Sequence, residues 1–414
     1  MEEVVIPHFF VCPISLEIMR DPVTVSTGIT YDRESIERWI FTSKNKTCPI
    51  TRQPLPDTDI TPNHTLRRLI QAWCIANAAN GVDRIPTPRP PVDKAQITKL
   101  LEGARNPQSQ MGSLHRLKAI AAESDRNKRC IEAAGAVSIL ASLLKCNSTA
   151  NPEEIALDDG VEQTRASDEA LNILYNLQIS EEALRDLASK KEEFISSLMQ
   201  IMQRGNDESR AYATFLLNSL FKVVDPISFF GLRSEVFKQI VNVLRDQISN
   251  QATKAALEIL IDAAPWGRNR VKAAEAGAVH VLIELLLDTQ EKRACEMMLV
   301  VLDQICKSAQ GRANFLSHSA GLAVVSKKII RVSPVASERA IRILHSIATF
   351  SANSSVVHEM LQVGVVSKLC LVLQVDCGMK TKQKAKEILI RHSKSWRNSP
   401  CVPTHLLSSI PAQH

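Results

Sequence analysis

The 414-residue chain has ten cysteines and not one Cys-x-x-Cys pair. A structural zinc site needs thiolates or imidazoles in close pairs to complete its tetrahedron, so no zinc finger is expected. Cys12 and Cys48 each stand alone, and His8 has no ligand partner at metal spacing. Neither a metal nor any other cofactor is called for. The cysteines do not gather into a small disulfide framework, and Met1 to Phe10, with Glu2, Glu3 and Pro7, is unlike the apolar core of a signal peptide. Reduced thiols in the cytoplasm or nucleus are the expectation. No run approaches the about 18 continuous apolar residues that span a bilayer. Gly-x-Ser-x-Gly, a Gly-rich phosphate loop ending in Lys-Ser or Lys-Thr, and His-Glu-x-x-His are all absent, which removes the common hydrolase, nucleotide-binding and metalloprotease signatures.

Aromatics are scarce too, 4% of the chain against 45% hydrophobic residues, so Leu, Ile, Val and Ala must fill the core. That palette suits stacked helices and a mainly α fold. A net charge of +6, from 50 basic and 44 acidic residues, is mild and spread along the chain. It gives no reason to expect a nucleic-acid partner.

Prolines divide the chain. The segment from Asn80 to Lys94, NGVDRIPTPRPPVDK, holds four prolines, which block helix interiors and sheet ladders alike. It reads as a stiff linker, residues 79–95, between a compact unit over 1–78 and a helical array over 96–397. In the array, Gly277, Gly321 and Gly364 stand 44 and 43 residues apart, and Glu193 and Glu235 mark copies without the glycine at steps of 42. Gly135 begins the series. This is the period of armadillo and HEAT repeats. Segments such as ASDEALNILYNL, TKAALEILIDAA and SERAIRILHSIATF carry apolar residues at i, i+3, i+4 and i+7. About six helical units then stack into a solenoid with an extended curved surface. The longer first step maps to an acidic, polar insertion at about 146–164, expected to be an exposed loop. The lysines at 380, 382, 384 and 386 read as the solvated face of a capping helix, and the tail at 398–414, with three prolines, as poorly ordered.

In the N-terminal unit, Val23-Thr-Val and Ile29-Thr-Tyr31 flank Ser26-Thr27-Gly28, a hairpin pattern. Asp32 is placed to cap a short helix with Ile36, Trp39 and Ile40 as its stripe, and Asn63 to cap a second with Leu66, Leu69, Ile70 and Trp73. Two loops, Cys12 to Leu16 and Cys48 to Arg52, flank the first helix in sequence.

The run IPHFFVCPISLEIMRDPVTVSTGITYDRESIERWI, followed by CPITRQPL and ITPNHTLRRLIQAW, resembles a U-box, the metal-free relative of the RING finger found in E3 ubiquitin ligases. With the linker and the armadillo-like array, the whole chain resembles the plant U-box/armadillo ligases, in particular the short subgroup linked to immune and stress signalling. The resemblance implies a small α+β U-box followed by an armadillo-type solenoid. It implies a ligase that binds a ubiquitin-charged E2 and lets a substrate lysine attack the E2-bound ubiquitin directly, without a covalent intermediate on the ligase. Ile14, Leu16, Trp39 and Pro49 would form the E2 platform, and Arg52 would bridge E2 and ubiquitin. The armadillo repeats would hold the protein substrate, and the U-box could pair with a second copy or a relative. Cys12, Asp21 and Cys48 would be structural; Asp21, Glu17, Arg33 and Arg38 would supply polar contacts where zinc would sit. Plainer readings stand beside these: Trp39 as a core aromatic, Cys12 as a buried packing residue rather than a nucleophile, Arg52 as a surface partner of Asp57 or Asp59. The alternative for the whole chain is a non-catalytic armadillo scaffold.

Overall fold

The computed structural model describes residues 6–42, 45–55, 60–78, 81–83, 93–144, 158–189 and 191–396. The acidic pair Asp57 and Asp59, most of the proline-rich linker, the first part of the 146–164 insertion and the tail fall outside these. The chain divides into two compact units, residues 1–91 and 92–414.

The first unit is built on a hairpin. Strands β1 (Pro22–Thr24) and β2 (Thr30–Asp32) pair antiparallel with Val23 opposite Tyr31, and the turn between them closes at Gly28, where φ is +81°. A third strand, β3 (Thr61–Pro62), lies on the other side of β1, an element too short for side-chain alternation to announce. Helix α1 (Arg33–Glu37) runs on into a π-helical turn at Arg38–Thr42, and α2 (His64–Ala76) follows β3. Asn63 caps α2 as expected, its side chain accepting from the Leu66 N–H at 3.0 Å. Of the α2 stripe, Ile70 is buried while Leu69 is exposed, because Cys74, four residues after Ile70, takes the inward position instead. The core gathers Phe10, Met19, Val23, Tyr31, Ile36, Ile40 and Leu55 around Cys12 and Cys48.

The second unit opens with two helices, α3 (Lys94–Arg105) and α4 (Gln110–Glu123). Three-helix repeats follow: α5 (Asp125–Ala133), α6 (Ala136–Leu143) and α7 (Asp158–Asn176), then α8 (Glu181–Ser189), α9 (Lys191–Arg204) and α10 (Asp207–Val223). In the next repeat a 3-10 turn at Pro226–Gly231 replaces the first helix before α11 (Ser234–Asp246) and α12 (Asn250–Ala263). Two full repeats come after it, α13 (Asn269–Glu275), α14 (Ala278–Asp288) and α15 (Lys292–Ile305), then α16 (Ala309–Leu316), α17 (Gly321–Lys328) and α18 (Pro334–Phe350). The array ends with α19 (Ser354–Gln362), α20 (Val365–Gln374), α21 (Met379–Arg391) and the single turn α22 (Ser393–Trp396). Helix α7 begins at Asp158, so the last part of the expected loop is helical.

Each repeat's third helix packs on the next, α4 on α7, α7 on α10, and so on through α12, α15, α18 and α21. A continuous face results. The periodic glycines serve two purposes. Gly277 takes φ +86° at the junction of α13 and α14, a conformation that disfavours side chains. Gly321 has ordinary φ, but an added Cβ would lie 2.7 Å from the Phe315 carbonyl, so it permits close approach. Trp396, fully buried, closes the stack with its Nε1 donating to Val357 O at 3.2 Å. Among the described residues no single helix is long and apolar enough to cross a membrane; α19 and α20 pass only as a pair bent by 66°.

Candidate functional site

The two cysteine loops prove to be copies of one another. Cys12-Pro13-Ile14-Ser15-Leu16 and Cys48-Pro49-Ile50-Thr51-Arg52 share a sequence pattern, and the backbone repeats with it. The cysteine carbonyl accepts from the fifth residue, Leu16 N–H at 2.8 Å and Arg52 N–H at 2.9 Å. The cysteine N–H donates to the sixth, Glu17 O and Gln53 O, both at 2.8 Å. One antiparallel bridge closes each loop, Val11 with Ile18 and Thr47 with Pro54. The fifth residue is left-handed in both, with φ +60° at Leu16 and +57° at Arg52. For a non-glycine residue that conformation costs about 1–2 kcal/mol, so the closing bonds hold these two side chains where the chain would not put them unaided.

Both loops hang on the end of β2. The Asp32 N–H donates to Cys12 Sγ at 3.3 Å, while the neighbouring Tyr31 hydroxyl lies 3.1 Å from Cys48 Sγ. Thr27 in the hairpin turn adds a bond to Cys48 Sγ at 3.3 Å. Burial pushes the Cys48 thiol up, but the hydrogen bonds from Thr27, Thr51 and Tyr31 outweigh it and bring the pKa down to about 6. Cys12 is likewise lowered, burial being overcome by bonds from Ser15, Asp32 and Ile14. Burial and the Cys48 contact raise Tyr31. These thiols are struts: they are 0% and 1% exposed, with sulfur accepting where a metal-bound finger would have sulfur ligating.

Asp32 does not cap α1. Its Oδ1 instead accepts from the N–H groups of Arg20 and Asp21 at 2.8 and 2.9 Å, tying loop one's exit to the hairpin. Asp21 pairs with Arg33 at 2.5 Å and with Arg67 at 3.6 Å, joining α1 to α2. Arg38 pairs with Glu34 on its own exposed face, and Glu17 contributes through its backbone carbonyl.

On this frame Leu16 is 77% exposed and Ile50 51% exposed. Ile14 and Trp39 are half-buried against the core, Pro49 is half-buried, and Arg52 is exposed. Trp39 is therefore neither a sealed core residue nor a free one; its Nε1 donates to Thr47 O at 2.8 Å, pinning the helix to the start of loop two. Ile50 was missed by the sequence reading, although it stands where Ile14 stands in the other loop. The duplicated Cys-Pro-Ile pattern was the signal that could have found it.

Elsewhere among the described residues, one cluster has metal-ligand spacing. His280, Glu284 and His318 bring donor atoms within 4.8 Å of one another, in the repeats and not in the U-box-like unit. Two of its members are hydrogen-bonded to each other. His318 Nδ1 accepts from the Ala320 N–H at 3.2 Å, so the ring proton lies on Nε2, facing Glu284 Oε1 at 2.7 Å.

Comparison with known proteins agrees with this arrangement. The U-box domain family matches residues 6–79, and the plant U-box protein ARM repeat region matches residues 95–412. The chain belongs to the plant U-box/armadillo family. It is a U-box E3 ubiquitin ligase with armadillo repeats. Two Arabidopsis thaliana relatives, the E3 ubiquitin-protein ligases PUB23 and PUB22, are 53% and 50% identical, across 99% of this chain and 98% and 100% of theirs. A solved β-catenin structure, from work on a phosphorylation switch in its interaction with cadherin, superposes with a TM-score of 0.59 at 12% identity, covering 86% of this chain and 62% of that one. At that identity the likeness shows the armadillo fold alone.

Proposed function

We propose that the paired loops of the U-box, with Trp39 between them, form the surface that binds a ubiquitin-charged E2. The observation that carries this is the left-handed pair: Leu16 and Arg52 are held in a costly conformation and turned outward, one apolar and one cationic. Leu16, Ile14 and Pro49 supply apolar contact area, and Trp39 an aromatic anchor of the kind that dominates interface energetics. Arg52, with fixed donors on a planar head, suits a bridge between carbonyl-rich surfaces of E2 and ubiquitin.

The ligase contributes geometry and no nucleophile. A substrate lysine amine attacks the thioester carbonyl on the E2; the C–S bond breaks, an isopeptide bond forms, and the E2 cysteine leaves as a thiol. Cys12 and Cys48 are too buried to take ubiquitin themselves. The face built by the third helices, α4 to α21, is the surface we assign to the protein substrate. A role in defence or stress signalling, in cytoplasm or nucleus, follows from the subgroup the sequence resembles.

The test is autoubiquitylation with E1, ATP and a panel of E2s. Chains form with at least one E2, and Leu16→Ala and Arg52→Ala weaken them while the helical spectrum stays unchanged. Absence of chains with every E2 would leave the scaffold reading in its place.

A further inference from the structure

Where α13, α15 and α18 meet, cations outnumber anions. Asp303, buried on α15, accepts Arg339 Nη1 at 3.0 Å and Arg342 Nε at 2.8 Å, both guanidinium groups falling on the same oxygen, Oδ2. Lys307, just past the end of α15, is held below the usual lysine value first by partial desolvation; Asp303 acts the other way, and Arg342, Arg270 and Arg339 lower it further. Arg342, Arg270 and Arg339 thus each lie near enough to Lys307 to disfavour its charge. Glu338 adds a weak contact to Arg342 at 3.7 Å. Four positive charges against Asp303 and Glu338 leave an excess of two.

Some of the donors are engaged, Arg270 Nη2 with Pro265 O at 3.1 Å and Lys307 Nζ with Gln304 Oε1 at 2.7 Å, and others are not. Arg339 Nε and Arg270 Nε are buried with no acceptor among the described residues, a state that native structures seldom leave unexplained. The side chains of Arg339 and Arg342 remain 25% and 30% exposed, so an incoming group can reach them. Nearer the start of the array, Asp168, Glu169, Glu208 and Tyr212 line a separate cleft together with Lys118 and Arg165.

We propose that Arg270, Lys307, Arg339 and Arg342 form a phosphate site that receives a phosphoserine or phosphothreonine in the substrate segment. This rests on assigning the third-helix face to the substrate. A phosphate monoester carries nearly two negative charges and three acceptor oxygens, which match the local excess; a single carboxylate leaves one charge unbalanced. Guanidinium forks and a mobile ammonium are the donors that phosphate geometry favours.

The full-length protein is to be probed on an array of phosphoserine and phosphothreonine peptides with randomised flanks, alongside the same peptides carrying Ser, Thr or Glu. Phosphopeptides bind about tenfold or more tightly than both counterparts, less so as salt rises, and Lys307→Gln and Arg270→Gln each cut that preference several-fold. Neither variant unpairs Asp303, and both retain wild-type autoubiquitylation. Equal binding of phosphorylated and Glu peptides overturns the phosphate assignment. So does binding of unmodified peptides that is lost on Tyr212→Ala, in the separate cleft, but insensitive to Lys307→Gln; that result keeps the substrate face. Failure of every peptide to bind overturns both readings.

Discussion

Leu16 separates stability from function in a measurable way. Its φ of +60° costs about 1–2 kcal/mol relative to ordinary backbone, and its side chain, 77% exposed, gains almost no burial in return. Leu16→Ala keeps the strained backbone and should leave the unfolding midpoint unchanged. Leu16→Gly releases the strain, while the unfolded chain gains about 0.5–1 kcal/mol of freedom, so the net effect is a stabilisation of up to about 1 kcal/mol. Both remove the same contact with the E2. Fully burying a leucine is worth about 1.5–3 kcal/mol, so the exposed share lost here corresponds to about 1–2 kcal/mol, or about tenfold in Kd. Isothermal titration with an active E2 and hydrogen exchange of the first unit's core amides in increasing guanidinium read the two quantities separately. A Leu16→Gly protein less stable than Leu16→Ala would refute the stored strain, and an unchanged Kd for both would refute the contact.

Trp39→Phe should keep E2 binding within a few-fold, since the ring stays and Thr47, being exposed, turns to water at a cost of about 0.5–1 kcal/mol, whereas Trp39→Ala loses on the order of 2 kcal/mol or more. Cys48 gives a pH dependence: its folded pKa of about 6 lies below the ordinary 9.0, so the stabilisation is complete above pH 9 and is lost as pH falls through about 6. Hydrogen-exchange protection of residues 48–53, corrected for intrinsic rates, should rise across that window and become flat in Cys48→Ser. Gly321→Ala should lower the melting temperature, because its Cβ meets the Phe315 carbonyl at 2.7 Å, while Gly112→Ala in α4, with nothing within 4 Å, should raise it by up to about 1 kcal/mol of helix stability. Calorimetry on the two variants checks the opposite signs.

What could be read from the residues follows from the range of the interactions involved. The hairpin, α1, the Asn63 cap and the third helices of the repeats depend on local periodicity and turn chemistry, and all stand where the pattern put them. Asp32 shows the limit. A carboxylate before a helix is a good cap by sequence, but here the N–H groups of Arg20 and Asp21, arriving from the preceding loop, compete for it and win. Leu69 and Cys74 make the same point in α2, where the position of β1 decides which residue turns inward. The start of α7 at Asp158 falls in a stretch without the apolar stripe by which the other third helices announce themselves. The site residues were named through family resemblance; their geometry depends on bonds 17 to 21 positions apart that no local pattern reports.

The loop duplication explains why two cysteines persist where no metal is needed. A loop that holds its fifth residue at positive φ must be clamped at its first, and the clamp must satisfy buried donors at the end of β2 without adding bulk. Sulfur accepts the Asp32 N–H in one loop and bonds from Tyr31 and Thr27 in the other, and Cys12 and Cys48 have almost no exposed surface to spare. Serine would place a smaller, shorter oxygen at each position and leave the donors stretched; alanine would leave them unpaired, at about 1–3 kcal/mol each. Either change loosens the fifth residue of its own loop before the other. Cys12 therefore controls Leu16 and Cys48 controls Arg52, so the apolar and cationic halves of the surface rest on separate clamps that meet at the adjacent residues Tyr31 and Asp32.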